Sequence, residues 1–290
     1  MASKEHDFSV GSIPRNIISL ALPMTAAQLI NVLYSVVDRI YLGRLPGHLA
    51  LTGLGLTLPI ISIVMGFANL CGTGGAPLCS IYRGKGEEEE AERVMGNSFT
   101  LLLLVGAVLT VVILLFKKPI LYLFGASDAT YPYAEAYMTI YLLGTVFVMI
   151  GLGMNPFITS QGFGRTGMMT VGLGAVVNIV LDPVFIFALD MGVRGAALAT
   201  LIARVVEMAL MLVFCFLPSS PLRGRLREYI SFTPAFTGKV LLKPLPILLN
   251  ESCWAVGTML YVRAYGHIGT HAIAASQICN TVQNLFMVAC

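Results

Sequence analysis

Charge is what this sequence has least of. Only 11% of its 290 residues are Asp, Glu, Lys or Arg, against 57% in the hydrophobic set, and the mean hydropathy is +0.82. That scarcity excludes a water-soluble domain of this length. Runs that alternate apolar with polar residues are missing too, which argues against a transmembrane barrel. There is no CxxC and no Cys–His spacing, so the six cysteines, Cys71, Cys79, Cys215, Cys253, Cys279 and Cys290, are expected to be buried free thiols. No basic run is interleaved with aromatics and the net charge is only +3, so nucleic acid is not an expected partner. His48, His267 and His271 lack ligand spacing, and no nucleophile–His arrangement or metal motif marks an enzyme. The opening stretch MASKEHDFSVGS has no short apolar core followed by a cleavage site, so no removable signal peptide is expected.

What the sequence does have is long apolar segments. Eight are expected, at approximately 15–42, 49–82, 94–116, 133–158, 168–189, 193–217, 242–265 and 270–290. Each of about 20 or more residues reaches across roughly 30 Å of hydrocarbon as a helix. The expected fold class is an all-α integral membrane protein. Arginines and lysines crowd the ends that face the cytoplasm when the N-terminus is placed inside, which predicts that orientation. One long polar link, Ser219 to Lys239, divides the chain into an expected six-helix unit (1–218), a cytoplasmic linker (219–240) and the start of a second unit (241–290). An offset of 223 residues lays LPMTAAQLINV over LPILLNESCWA, so that Pro23 meets Pro246, Gly43 meets Gly266 and His48 meets His271. Because the chain stops at Cys290 within an apolar run, it reads as part of a parent of about 450 residues and twelve helices.

Polar groups inside the hydrocarbon are the candidate functional residues. A lone Asp at mid-helix costs about 2.5–3.5 kcal/mol on an insertion scale, whereas a Leu, Ile, Phe or Val gains only about 0.3–0.6 kcal/mol. Asp38 and Asp182 therefore each offset several good residues. Asn178 and Asp182 are i, i+4 and share a helical face. Pro183 follows them and frees the carbonyl of Ile179, which completes the outline of a polar pocket. Either these groups are interhelical glue, or they bind a proton or small cation reversibly. Glu251, near the start of its segment, is open to both readings. Arg204 and Glu207, i, i+3, read as a self-neutralising pair. The glycine-rich stretches from Cys71 and from Leu152 lack a GKS or GKT and a preceding strand; they are expected to permit close helix contacts, not to hold phosphate. The acidic run Glu87–Glu90 reads as a solvated loop end.

Four stretches, LALPMTAAQLINVLYSVVDRIYLG, GTGGAPLCSIYRGKGEEEEAERVMGNSF, MNPFITSQGFGRTGMMTVGLGAVVNIVLDPVFIFALDMGVRGAALAT and LPILLNESCWAVG, resemble the multidrug and toxin extrusion (MATE) transporters of the multidrug/oligosaccharidyl-lipid/polysaccharide flippase superfamily. The resemblance implies a helical bundle of two six-helix lobes around a cleft, of which this chain holds a complete N-lobe and about two helices of the C-lobe. It implies a monomer in the plasma membrane that exports cationic or amphipathic compounds in exchange for protons or sodium, with no other cofactor. In that family an Asp on the first helix, an Asn and an Asp on the fifth and a Thr on the sixth build a cation site; Asp38, Asn178, Asp182 and Thr200 match, and Glu251 matches a coupling Glu on the seventh. The cleft is expected to be mostly apolar and acidic, which favours cationic cargo over the pyrophosphate headgroup of a lipid-linked oligosaccharide. That flippase branch, and a truncated remnant that folds without pumping, stay open as alternatives.

Overall fold

The computed structural model describes residues 12–45, 49–216, 238 and 245–287. Among the described residues all regular structure is helical: α1 (Ile13–Gly43), α2 (Leu49–Gly84), α3 (Glu88–Leu123), α4 (Tyr131–Leu143), α5 (Thr145–Ser160), α6 (Gly164–Pro183), a single π-helical turn (Val184–Ala188), α7 (Val193–Phe216), α8 (Leu245–Ile268) and α9 (Thr270–Met287). The linker expected over 219–240 lies outside the described residues apart from Gly238, as do His48 and Cys290.

Five helices are individually long and apolar enough to cross a bilayer, and α4 with α5 makes a sixth span bent by 59°. The fourth segment, expected to be continuous, is broken at Gly144, where α7 packs closely against it. A side chain at Gly144 would overlap Leu201. Among the described residues α8 and α9 are not in that set. They sit at two of the expected segments, but polar residues such as Asn250, Asn280 and Gln283 of these helices line a cleft.

In lipid there is no water to drive helices together, so close packing and interhelical polar contacts hold the bundle. One core joins α2, α3, α5 and α7 through Val64, Ala68, Leu102, Met149, Phe157 and Met211. A second core ties α8 and α9 to the first six spans, Val262 and Ile273 packing with Leu56, Leu121, Met138 and Leu142. The opposite face of α3 shows Leu104, Val108, Val111 and Leu115 as an exposed stripe at helical spacing, suited to lipid. The glycine-rich stretches of α2 and α5 do pack on one another, at Gly72 and Gly153. The acidic run opens α3, where Glu89 and Glu90 pair with Arg93 in solvent. Cys71, Cys79 and Cys215 are buried as expected, but Cys253 and Cys279 are exposed. Both exposed thiols belong to α8 and α9, and Cys253 faces the cleft.

The end of α6 decides where the polar residues go. Pro183 has no amide hydrogen, and the chain widens after it into the π turn, closed by Leu189 N–H to Val184 carbonyl at 2.9 Å. Asp190 and Gly192, with φ of 50° and 55°, then reverse the chain. Residue 195 must be glycine, since a Cβ there would lie 2.7 Å from the Phe185 carbonyl. That close approach seats α7 directly on the end of α6.

Candidate functional site

Three helices deliver the candidate residues. α1 packs along α6, and α6 along α7. Asp38 of α1 is 8% exposed, Asn178 of α6 1%, and Asp182, one turn further along, 0%. The Asn178 amide nitrogen donates to Asp182 Oδ1 at 3.3 Å and to Thr200 Oγ1 of α7 at 3.5 Å. With the amide turned over, its nitrogen still donates to the Asp182 carboxylate at 3.3 Å while its oxygen accepts from the Thr200 backbone N–H, also at 3.3 Å. Asn178 is therefore the hinge-pin of the cluster in either orientation. Asp38 stands within electrostatic range of Asp182. Its Oδ1 is buried and has no hydrogen-bond partner.

An orphaned, buried carboxylate oxygen is a rare feature that calls for an explanation. Beside it lie a second carboxylate, an amide and a hydroxyl, an all-oxygen acceptor set of the kind that holds a hard cation or passes a proton. Among the described residues no group of three or more His, Cys, Asp or Glu could hold a metal ion, so the cluster's donors are two carboxylates with an amide and a hydroxyl. Glu251 lies in α8, but its side chain is outside what the structure describes.

Asp38 and Thr200 also line a cleft of about 980 Å³ between the first six spans and α8–α9. Over the described residues its walls are more aromatic than expected. Tyr34, Tyr137, Tyr141, Trp254, Tyr261 and Tyr265 line it, while among the described residues its charged ones are Asp38, Arg39 and Arg204. The expected mostly apolar and acidic lining is, over the described residues, an aromatic one with one aspartate and two arginines. Asp182 sits behind the wall, and both arginines turn toward the space. Arg204 brings its own counter-charge: its Nη1 donates to Glu207 Oε2 at 2.6 Å, the self-neutralising pair expected from their spacing. Arg204 Nη2 also donates to the Tyr34 hydroxyl, and the guanidinium lies 5.4 Å from that ring's centroid.

Two residues of the site escaped the sequence reading. Tyr137 of α4 hydrogen-bonds the Thr200 side chain, and stacks on Tyr141 with ring centroids 6.3 Å apart. Tyr34 ties α1 to α7 through Arg204. The only signal for either was a tyrosine hydroxyl within an apolar segment.

Comparison with known proteins places the fold in a family. The family model MatE matches residues 23–184. The multidrug export protein MepA of Staphylococcus saprophyticus is 27% identical over 272 residues, 90% of this chain and 58% of that protein. MepA of Staphylococcus haemolyticus is likewise 27% identical, over 92% of this chain and 59% of its own length. The solved structure of the MATE multidrug transporter DinF-BH, determined as a complex, superposes with a TM-score of 0.92 at 29% identity, covering 99% of this chain and 65% of that one. The chain thus spans less than two thirds of the length of these relatives. A multi-pass helical membrane protein holding a six-helix N-lobe and two helices of a C-lobe, it belongs to the MatE family.

Proposed function

We propose that this chain is the ion-responsive lobe, with the start of the second lobe, of a secondary transporter that exports cationic or amphipathic small molecules by antiport with protons or sodium. The observation that carries this reading is the position of Asp38: one face on the large cleft, an unpartnered buried oxygen, and the Asn178–Asp182–Thr200 cluster beside it. The MepA relatives are multidrug export proteins, which supports the cargo class.

The physical argument is a competition for charge. A carboxylate held away from water favours any partner that neutralises it. An organic cation in the cleft does so at Asp38, with the tyrosines and Trp254 offering π faces to its body. A proton or sodium ion does so from within the cluster. Once the ion is bound, Asp38 has less to gain from cargo, and α1 relaxes against α6; the two ligands oppose each other through one site. Alternating access then follows from repacking α1, which joins the rest of the bundle chiefly through α6. On this reading the N-terminus is cytoplasmic and the protein works as a monomer in the plasma membrane.

The two arginines of the cleft bear on the rival reading, a flippase for an anionic lipid headgroup. Arg204 is neutralised by Glu207, which leaves Arg39 as the other cation of the described wall, short of the several that a pyrophosphate headgroup calls for. The chain's one tryptophan, Trp254, lines the cleft and reports on it. The test is Trp254 fluorescence of the purified chain in lipid nanodiscs, titrated with ethidium at fixed sodium and pH. Quenching that saturates, and that sodium or protons reverse in wild type but not in Asp182→Asn, supports the proposal; quenching indifferent to both ions overturns it.

A further inference from the structure

Behind Thr200 the bundle holds a second and much smaller cavity, about 10 Å³, among α1, α6 and α7. That is the space of about one water-sized sphere. Tyr34, Thr200 and Arg204 line both this cavity and the large cleft, and so form the partition between them. Two buried acceptor atoms of its lining residues have no hydrogen-bond partner, Asn31 Oδ1 and Glu207 Oε1. Glu207 is only 3% exposed. Its other oxygen is taken by Arg204, whose second amino group holds the Tyr34 hydroxyl.

Two unpartnered acceptors on residues lining one small space call for an occupant that donates twice or is itself positive. The Arg204 guanidinium on the wall opposes a second cation by direct repulsion. Water meets the demand instead, with two protons for Asn31 and Glu207 and lone pairs for a donor such as the Thr200 hydroxyl. We propose that one water molecule occupies this cavity, bonded to Glu207 Oε1 and Asn31 Oδ1, and that with Arg204 and Tyr34 it clasps α1 to α7 beside Thr200.

Spacing supports the clasp. Asn31 and Tyr34 are i, i+3 on α1, while Thr200, Arg204 and Glu207 follow at i, i+4 and i+7 on α7, so each set shares a face. The clasp therefore fixes the turn of α7 that offers Thr200 to Asn178. The water site stands by itself. Its role in positioning Thr200 and Asn178 for a cation rests on the proposed function.

The experiment has two readouts on the same full chain. Crystals grown in a lipid mesophase, at a resolution that places waters, should show one peak at about 2.7–3.2 Å from both acceptors. A parallel soak in rubidium chloride should leave no anomalous signal there. The peak should vanish in Asn31→Leu, which is nearly isosteric, and in Ala175→Val, which fills the space if the first variant does not fold. An empty wild-type cavity, or a rubidium signal within it, overturns the water. Trp254 fluorescence titrated with sodium, and separately with protons, reads the positioning. Asn31→Leu should weaken the ion midpoint about tenfold, as loss of a supporting hydrogen bond does at metal sites. Asp182→Asn should abolish the ion response and keep the water peak. An unchanged midpoint with the water gone overturns the positioning role. No ion response in wild type overturns that role together with the proposed cation site, and leaves the water in place.

Discussion

Replacing Asp182 by asparagine removes one charge and almost no volume. Asp182 is fully buried, and its described hydrogen bond is the one it accepts from Asn178 at 3.3 Å. Asparagine retains an oxygen at that position, so the contact survives as a neutral bond. A charged bond contributes about 1.5–3 kcal/mol and a neutral one about 0.5–1.5, so the contact loses roughly 1 kcal/mol, while the desolvation of a carboxylate is relieved in return. The two effects oppose each other, and Tm should move by no more than about 4 °C. Ion binding has no such compensation, because an amide oxygen carries no net charge to set against the ion. A loss of about 3 kcal/mol, the scale of a charged hydrogen bond, weakens the ion more than 100-fold. The assay is the midpoint of the sodium- or proton-dependent change in Trp254 fluorescence, read beside a thermal melt of the same nanodisc sample. Wild-type ion response in a well-folded Asp182→Asn variant would refute the assignment; a melt lowered by tens of degrees would show Asp182 to be structural glue.

Gly195→Ala places a Cβ 2.7 Å from the Phe185 carbonyl and should lower stability by about 1–3 kcal/mol, measured as a lower Tm, because backbone must shift to admit it. Removing one partner of the Arg204–Glu207 pair, as in Glu207→Ala, should cost about 3–5 kcal/mol, whereas Arg204→Met with Glu207→Leu should cost clearly less; equal losses in thermal melts would contradict the buried-pair account. Cys253 and Cys279 are exposed while Cys71, Cys79 and Cys215 are buried, so a charged maleimide should label the first two ahead of these three, and ethidium should slow labelling at Cys253, which lines the cleft.

The bundle was legible because apolar runs long enough to cross a bilayer have few other fates. Asp38, Asn178 and Asp182 were legible for the complementary reason, that polar groups are expensive in hydrocarbon and stand out against it. Thr200 was not. A threonine in a membrane helix bonds its own backbone at little cost, and only resemblance to a family singled it out before the structure set it against Asn178. Tyr137 and Tyr34 escaped for a similar reason, since tyrosine is at home in apolar segments and its partners come from other helices. The break comes at Gly144, where Leu201, far along the chain, packs close, a neighbour that no local pattern records. That Arg39 and Arg204 line the cleft was not legible either, because which arginines turn inward is fixed by tertiary packing.

The central claim is that the carboxyls of Asp38 and Asp182 change charge as cargo and ion trade places. Infrared difference spectroscopy of the chain in nanodiscs tests it most directly, with Asp38→Asn and Asp182→Asn assigning the carboxyl bands. Adding ethidium should remove a protonated-carboxyl band, or release bound sodium, and each variant should erase part of the signal. Spectra with no carboxyl change and no sodium released, while ethidium demonstrably binds, would contradict the account.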